Sequence, residues 1–288
     1  MARRWMVAYR RKSGSSGWIP AVIVVAVIVA AGAYVAWRAT RPNAGTGPAP
    51  ASTAVAAAGT AAPAPAPAIR HPIGQAAIPA SASTAPLPAL DDSDASVRSA
   101  LVTLGGDGLK DLLLPQSVVN HIVATVDALP RHALGSSFIL PLRTPRGAFR
   151  AGETQGILTA DARNAGRYAP YMAIVRHADP QALVAWYVHS YPLFQQAWRE
   201  LGYPKGYFND RLIVAIDDML AAPTPAQPPA LQLEKGRYVY VDPALESLSV
   251  GQKLMLRLGP ANETELKAKL RTIRGLLTAG PPSTAPAH

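Results

Sequence analysis

The 288-residue sequence contains no cysteine. This absence excludes disulfide bonds, cysteine nucleophiles, thiolate zinc sites and iron–sulfur clusters. Exported domains often use disulfides for stability, so a domain of this chain placed outside the cytoplasm must depend on its apolar core instead.

Acidic residues are missing from the first 90 positions, and all 18 lie from Asp91 onward. Eight of the 28 basic residues precede Asp91, which leaves 20 basic against 18 acidic residues in the remainder. The formal net charge of +10 therefore resides mainly in the N-terminal third of the chain. Positive charge beside an apolar segment suits lipid headgroups and membrane topology, so we predict no nucleic-acid partner.

Charged residues are also absent from the twenty residues 18–37, which include an uninterrupted Ala/Val/Ile run. At about 1.5 Å per residue, a helix of this length spans roughly 30 Å, the thickness of the hydrocarbon core of a bilayer. Trp18 at one end, with Tyr34 and Trp37 at the other, is typical of the membrane interface. We therefore predict a transmembrane helix over residues 18–38.

The orientation of this helix is predicted from its flanking charges. Five basic residues and no acidic residue precede it, whereas only Arg38 and Arg41 follow it before Arg70. The positive-inside rule predicts that residues 1–17 form a basic cytoplasmic tail and that the C-terminal part lies across the membrane. A cleaved signal peptide with small residues 30–33 at its cleavage site is the alternative, although the apolar region of such peptides is shorter.

Residues 39–89 consist almost entirely of Ala, Pro, Ser, Thr and Gly. This composition cannot bury enough apolar area to fold, and its prolines favour extended polyproline II. We predict a disordered linker that tethers the following domain at a distance from the membrane. Residues 279–288 are predicted to form a second, shorter disordered tail.

Residues 90–278 predict one globular domain that is predominantly α-helical with a minor β element. A helix is predicted after Asp179-Pro180, a cap followed by a proline in the first turn, and Pro192 is expected to kink or divide it. Residues 237–241 have the clearest strand composition. Apolar residues at helical spacing predict five further helices, which begin near residues 93, 115, 209, 249 and 260.

No pattern of catalytic or metal-binding residues is evident. The six histidines show neither His-x-x-x-His nor His-Glu-x-x-His spacing, and the acidic residues at 91–94 lack the other ligands of a helix-loop-helix calcium site. There is no Gly-x-Ser-x-Gly turn and no phosphate-binding glycine loop. We therefore predict no cofactor and no metal, and we assign no catalytic residue.

Aromatic residues form only 7% of the chain but are concentrated in one segment. Ten of the fourteen that follow residue 90 lie between Tyr168 and Phe208. Either this segment is a nearly fully buried central helix, or it lines a groove that binds a peptide or stacks on sugar rings. Seven arginines between Arg131 and Arg176 would favour an anionic partner beside such a groove. The candidate partner-binding residues are Arg167, Tyr168, Tyr171, Tyr187, Tyr191, Trp198, Tyr203, Tyr207 and Arg211.

Several blocks of the domain have a distinctive sequence. Residues 191–198 read YPLFQQAW, and residues 207–212 read YFNDRL. With blocks at 90–94, 124–131 and 251–260, they resemble the bacterial family of domain of unknown function 3014. The resemblance covers nearly all of the domain. It implies an N-terminal anchor, a Pro/Ala linker and a domain outside the inner membrane of Gram-negative bacteria, but no activity and no functional residues.

Two functional hypotheses follow, and a non-catalytic role is favoured. The first is an interaction module, anchored in the inner membrane with its domain in the periplasm, which binds an envelope protein or a cell-wall polymer. The alternative is a cell-envelope hydrolase acting on glycan or peptide, with Glu200, Asp210 or Asp217 as general acid or base. A purely structural spacer is a third possibility.

Overall fold

The computed structural model describes residues 68–77, 83–134 and 139–279. Within these ranges, no helix is both long enough and apolar enough to cross a membrane. The predicted tail over residues 1–17 and the predicted transmembrane helix over residues 18–38, with its interfacial aromatic residues, lie outside the described residues. The membrane anchor therefore stays a prediction.

The described residues form nine α-helices, three 3₁₀ helices and four short strands. The α-helices are α1 (Asp94–Gly105), α2 (Gly108–Leu112), α3 (Val118–Ala128), α4 (Ala169–His177), α5 (Pro180–Glu200), α6 (Phe208–Leu220), α7 (Pro243–Glu246), α8 (Val250–Leu258) and α9 (Pro260–Thr278). The strands are β1 (Ala151–Thr154), β2 (Ile157–Ala160), β3 (Leu231–Glu234) and β4 (Arg237–Tyr240). The 3₁₀ helices are Ile73–Gln75, Leu90–Asp92 and Ala162–Tyr168. The prediction of a predominantly α-helical domain with a minor β element is confirmed for these residues.

Two helices begin at the capping residues that the sequence predicts. Asp179 accepts a hydrogen bond from the N–H of Ala182 at 2.7 Å, and Pro180 is the first residue of α5. Ser249 and Gln252 form a capping box at the start of α8. A cap satisfies backbone N–H groups that have no partner within the helix, and it needs only local residues. These boundaries are therefore predictable from sequence.

Helix α5 continues through Pro192 as one helix, so the prediction that this proline divides it is wrong. Proline removes the hydrogen bond to the carbonyl group four residues earlier, that of Val188. Pro192 is exposed, whereas the adjoining Leu193 and Phe194 are buried. Because the lost bond is on the solvent side, the freed carbonyl group can bond to water while the packed side holds the helix together.

The core lies where α3, α5, α6 and α9 pack against one another. Phe194 of α5 and Phe208 of α6 are fully buried and stack with ring centroids 5.8 Å apart. Ile122 of α3 and Leu270 of α9 are also fully buried. Burying one such side chain contributes about 1.5–3 kcal/mol, so this cluster supplies the stability that a chain without disulfides needs.

The four strands form two antiparallel hairpins, β1–β2 and β3–β4. Their two-residue turns are Gln155-Gly156 and Lys235-Gly236, and all four turn residues have positive φ. Turns of this kind match the twist of the flanking strands, and glycine adopts positive φ without strain. Strands β1, β2 and β3 and helices α2, α4 and α7 were not predicted. For the strands, the two Gly-containing turn dipeptides were the available signal.

Part of the predicted linker has a defined structure. In residues 68–77, the N–H groups of Arg70 and His71 donate to the carboxylate of Asp210 at 3.1 and 2.7 Å. Residues 68–77 of the predicted linker over residues 39–89 therefore contact the domain, whereas residues 39–67 lie outside the described residues. The composition of the segment is poor in folding signals, but the domain supplies hydrogen-bond partners for its backbone.

Candidate binding cleft between the hairpins

The aromatic segment belongs mostly to the core. Rings pack around Phe194, whose centroid lies 5.3 Å from that of Tyr187 and 6.1 Å from that of Trp186, in edge-to-face arrangements that favour aromatic packing. Burial of this kind supports the core interpretation over an open groove. Partner binding through these side chains stays a prediction. Five of the nine candidate residues are buried, namely Tyr168, Tyr171, Tyr187, Tyr191 and Trp198.

Tyr203 and Arg211, two further candidates, belong to a polar network around the buried Asp127. The hydroxyl of Tyr203 donates to the carboxylate of Asp127 at 3.1 Å and accepts a hydrogen bond from Arg131 at 2.7 Å. Arg131 also forms an ion pair with Asp127, and Nε of Arg211 lies 3.1 Å from its Oδ1. Arg211 is therefore a partner in a structural ion pair.

Tyr207 lies under the docked segment 68–77. Its hydroxyl accepts a hydrogen bond from the N–H of Ile73 at 2.8 Å, and Asn209 donates to the carbonyl oxygen of His71 at 2.8 Å. The chain itself therefore occupies the surface at this end of α6.

The three carboxylates considered for hydrolysis do not converge. Asp210 binds the docked segment, Asp217 forms an ion pair with Arg274, and Glu200 accepts a hydrogen bond from Gln196. General acid–base catalysis requires groups that reach the same substrate. None of the three lines the cleft described next.

A cleft of about 230 Å³ opens between the two hairpins, the third 3₁₀ helix and the start of α9. Its walls are mainly apolar and include Phe149, Leu231, Tyr238 and Tyr240, and the proline-rich loop 224–229 forms another side. The rings of Phe149 and Tyr238 are adjacent, with centroids 5.2 Å apart. Concave, mainly apolar sites with a few polar groups are typical of ligand binding. We call this feature the hairpin cleft.

One face of the β3–β4 hairpin runs from the core through the cleft into solvent. Leu231 pairs with Tyr240 at the buried end, and Leu233 pairs with Tyr238 towards the turn. Side chains directly opposite one another, and those two residues apart on a strand, share a face of the hairpin. Leu231 and Tyr240 are buried, whereas Leu233 is 64% exposed. The apolar face therefore extends beyond the packing within the domain.

The two acidic residues of the hairpin cleft are engaged by neighbouring groups. Asp161 forms an ion pair with Arg163, whose hydrogen bonds lower the pKa of Asp161 to about 2. Glu263 is buried, lies 2.7 Å from Nζ of Lys267, and accepts a hydrogen bond from the hydroxyl of Thr224 at 2.9 Å. Neither carboxylate is therefore free to act on a ligand.

The two arginines of the hairpin cleft form no ion pair with an acidic side chain in the part of the chain that the structure describes. Arg167 donates a hydrogen bond to the backbone carbonyl oxygen of Gly147 at 2.9 Å. Arg257 lies in the last turn of α8. Among the described residues, neither guanidinium group takes part in an ion pair. The cleft thus combines apolar walls with two guanidinium groups that form no ion pair with any described carboxylate.

The pKa values of the two phenols at the base of the cleft depend on the positive charge of these arginines. Burial raises the pKa of Tyr168 and that of Tyr240. The positive charge of Arg257 opposes the rise at both phenols, and Arg167 opposes it at Tyr168. Both guanidinium groups therefore lie near the buried phenols. Tyr168 and Tyr240 remain protonated at neutral pH and offer hydroxyl groups for hydrogen bonding.

The described part of the chain contains no group of three His, Asp or Glu side chains arranged to hold a metal ion. The polar groups of the cleft are arginines, phenols, amides and paired carboxylates. This set can bind an anionic or hydrogen-bonding group, but it presents no nucleophile with an adjacent base.

Comparison with known protein families supports the resemblance seen in the sequence. Residues 118–274 match the family described as "Protein of unknown function (DUF3014)". This match covers more than half of the 288-residue chain. The chain belongs to this family. Comparisons with the curated proteins and with the solved structures gave no significant match.

The DUF3014 match contains the whole hairpin cleft, whose lining residues run from Phe149 to Glu263. It also contains α3, α5 and α6, which form much of the core, whereas α1 and α2 precede it. The cleft is therefore part of the family domain and not of the segments that flank it.

Sequence reasoning found only part of the lining of the cleft. Of the nine candidates, Arg167 and Tyr168 line it. Phe149, Tyr238 and Arg257 were missed because they are far apart in sequence and lie outside the aromatic segment. The alternation of Tyr238 and Tyr240 on one strand was a signal for a shared face. Nothing in the sequence placed Arg257 beside them.

Proposed function

We propose that the chain is an inner-membrane-anchored periplasmic protein whose DUF3014 domain is a non-catalytic interaction module, with the hairpin cleft as its docking site for an envelope partner. The proposal rests on one observation. The apolar face of the β3–β4 hairpin leaves Leu233 largely exposed beside Tyr238, which lines the cleft. Exposed apolar side chains next to an aromatic-lined concavity are typical of interaction sites.

The distribution of exposed apolar residues supports this location. Six large apolar side chains are exposed in the described part of the chain, and three of them belong to the hairpins and their flanks: Ile157, Leu233 and Val241. The hairpins contain few of the described residues, so three of the six exposed apolar side chains is a large share for them. A partner that covers the hairpins would therefore remove more apolar surface from water than one that covers a helical face.

The contents of the cleft favour binding over catalysis. A hydrolase acting on glycan or peptide would need a carboxylate that is free to exchange a proton with the substrate. Asp161 and Glu263 are the acids of the cleft, and both are held in ion pairs. The hydrolase alternative therefore has no supporting group in the cleft.

The predicted anchor and linker suit a tethered binding module. With residues 68–77 docked on the domain, residues 39–67 remain as the predicted linker. An extended polyproline chain of this length reaches about 90 Å, at about 3.1 Å per residue. Such a tether would let the domain search for partners well away from the inner membrane while keeping it in the same compartment.

Site-specific photo-crosslinking of the full-length chain in living cells tests the docking site. A photoreactive amino acid is placed at position 233, or at position 214 on α6 as a control, because Val214 is also exposed at 43%. We expect a recurrent envelope protein to be captured from position 233 and not from position 214. Equal capture from both positions, or none from position 233, would contradict the proposal.

The predicted topology is tested separately. A reporter enzyme that is active only outside the cytoplasm is fused to the C-terminus of the full-length chain. Activity of the fusion is expected if residues 18–38 span the membrane with the N-terminus inside. An inactive but intact fusion would place the domain in the cytoplasm.

A further inference from the structure

The hairpin cleft has an unusual balance of charge for an apolar site. Its two carboxylates have cationic partners of their own, in Arg163 and Lys267. Its two arginines, Arg167 and Arg257, have no carboxylate partner among the described residues. A partner that brings a negative charge into the cleft would therefore be attracted, and a partner that brings a positive charge would not.

We propose that the hairpin cleft binds the C-terminal carboxylate of a polypeptide whose last residue has an apolar side chain. This inference rests on the proposed function and specifies the chemistry that the docking site recognises. The planar guanidinium group presents parallel N–H donors that match the two oxygens of a carboxylate. The carboxylate is placed between Arg167 and Arg257, above the buried hydroxyls of Tyr168 and Tyr240.

Glu246, whose charge interacts with that of Arg257, does not replace such a ligand. Glu246 is close enough to Arg257 for the two charges to interact. Its carboxylate, however, lies 2.8 Å from Nζ of Lys253 and accepts a hydrogen bond from the N–H of Tyr240 at 2.9 Å. Glu246 is held by these two groups, and Arg257 shares one hydrogen bond with the hydroxyl of Tyr240. A guanidinium group has five N–H donors, so Arg257 keeps others for a ligand.

The apolar walls of the cleft are the reason for proposing that the last residue of the bound polypeptide has an apolar side chain. Phe149 and Tyr238 form an aromatic pair at the side of a cavity of about 230 Å³, which is a suitable size for one or two side chains. Removing an apolar side chain from water there stabilises the complex in proportion to the area buried.

The exposed rim favours a polypeptide over a small amphiphile such as a fatty acid. A fatty acid would be contained in the cleft and would leave Leu233 exposed. A polypeptide that enters with its C-terminus continues outward past Tyr238 and Leu233, which lie on the same face of the hairpin. It would therefore cover the apolar surface that the domain leaves open.

The test uses the full-length chain in lipid nanodiscs, so that no detergent competes for the cleft. Two pools of decapeptides with three randomised C-terminal positions are passed over it, one with a free carboxylate and one with a C-terminal amide. We expect retention of the free-acid pool to exceed that of the amide pool by about ten-fold or more, because hydrogen bonds to charged groups are strong. The retained peptides are expected to be enriched in apolar last residues.

Matched arginine variants show which residues cause the preference for a free carboxylate. Arg257→Gln is expected to reduce the preference for the free acid about ten-fold, and Arg167→Gln is expected to reduce it as well, so the test survives if one variant fails to fold. Arg237→Gln is the control, because Arg237 is exposed on the same hairpin and does not line the cleft. It is expected to keep the preference within about two-fold.

Several outcomes would overturn the inference. These are equal retention of the two pools, no retention of either, a preference that survives both cleft variants, or displacement of the retained peptides by decanoate at lower concentrations than by the peptides themselves. Failure of the proposed function is distinguishable from these results. If position 233 still captures an envelope protein in cells while neither peptide pool is retained as expected, the hairpin cleft remains the docking site. In that case recognition of a C-terminal carboxylate is wrong. If capture fails too, both are wrong.

Discussion

Phe194 and Arg211 of the α5–α6 region are enclosed or paired inside the domain, whereas Phe149 and Arg257, which line the hairpin cleft, are less so. Phe194 is enclosed by other rings, and Arg211 pairs with the buried Asp127. At the hairpins, Phe149 is only half-buried and Arg257 has no carboxylate partner among the described residues.

This difference shows that residue type alone does not separate stability from recognition. Aromatic and arginine side chains are favoured at binding sites. Aromatic side chains are also common in cores, and arginines are also common in structural ion pairs. What separates the two roles is whether the fold supplies a partner. The comparison predicts large losses of stability from changes in the first region and small ones from matched changes in the second.

The largest effect is expected from truncating a core ring. Phe194→Ala should lower the free energy of unfolding by about 3–5 kcal/mol, because it leaves a cavity among Trp186, Tyr187 and Phe208. Phe149→Ala should lower it by less than about 1 kcal/mol, because that ring is already partly in water. Denaturant titrations monitored by tryptophan fluorescence measure both. Equal losses would remove the distinction between the two regions.

The next largest difference in stability is expected between substitutions of Arg211 and Arg257. Arg211→Gln should cost about 2–3 kcal/mol of stability, because Asp127 is buried and would lose a charged partner. Arg257→Gln should change stability by no more than about 0.5 kcal/mol. The same titrations apply. A large loss in the Arg257 variant would show that this residue is structural.

A matched pair of glycine substitutions tests packing density. A Cβ atom at Gly206 would lie 2.5 Å from Nε1 of Trp198 and 3.2 Å from Cβ of Tyr203, so Gly206→Ala should cost about 1–3 kcal/mol. A Cβ atom at Gly152 in β1 meets nothing within 4 Å. Gly152→Ala should therefore be neutral, or stabilising by up to about 1 kcal/mol. Thermal unfolding of the two variants checks this, and a tolerated Gly206→Ala would show that the Trp198 ring can move.

The last comparison depends on pH and concerns His121 in α3. Burial lowers the pKa of His121 from 6.5 to about 4, and the charge of Asp94 opposes the change only partly. Between pH 6.5 and 4 the unfolded chain therefore binds a proton that the folded chain does not, and stability is lost as the pH falls. The loss is less than about 1.4 kcal/mol per pH unit.

The pH effect is isolated by comparison with His121→Gln, whose side chain does not titrate. The melting temperature of the wild type should fall faster than that of the variant from pH 6.5 to 4. Parallel curves would mean that His121 is protonated in the folded chain as readily as in the unfolded one. The cleft phenols, whose pKa values are raised, do not titrate in this range.

The helices and the family were within reach of the sequence because their signals are local. Asp179 and Ser249 cap helices that begin where predicted, and the blocks around residues 191–198 and 207–212 identified the family that the match confirms. The division of α5 at Pro192 was not correct, because whether a helix tolerates proline depends on which side faces solvent.

The candidate site was only partly within reach. Arg167 and Tyr168 were named, but for a groove along the aromatic segment and not for a cleft between hairpins. The strands that build the cleft are four residues long. Apart from β4, which the composition of residues 237–241 predicted, such short strands carry too few residues for period-two alternation to stand out.

The sequence by itself determined the helical class, the capped helix starts, the absence of thiol chemistry and the family, because each depends on residue type or on neighbours a few positions apart. Tertiary structure decided which aromatic rings are enclosed and that residues 68–77 dock on the domain. It also decided that, among the described residues, Arg211 has a carboxylate partner and Arg257 has none. These outcomes depend on contacts between residues up to 140 positions apart, such as Arg70 with Asp210. Local patterns carry no information about which of many similar side chains will meet across such distances.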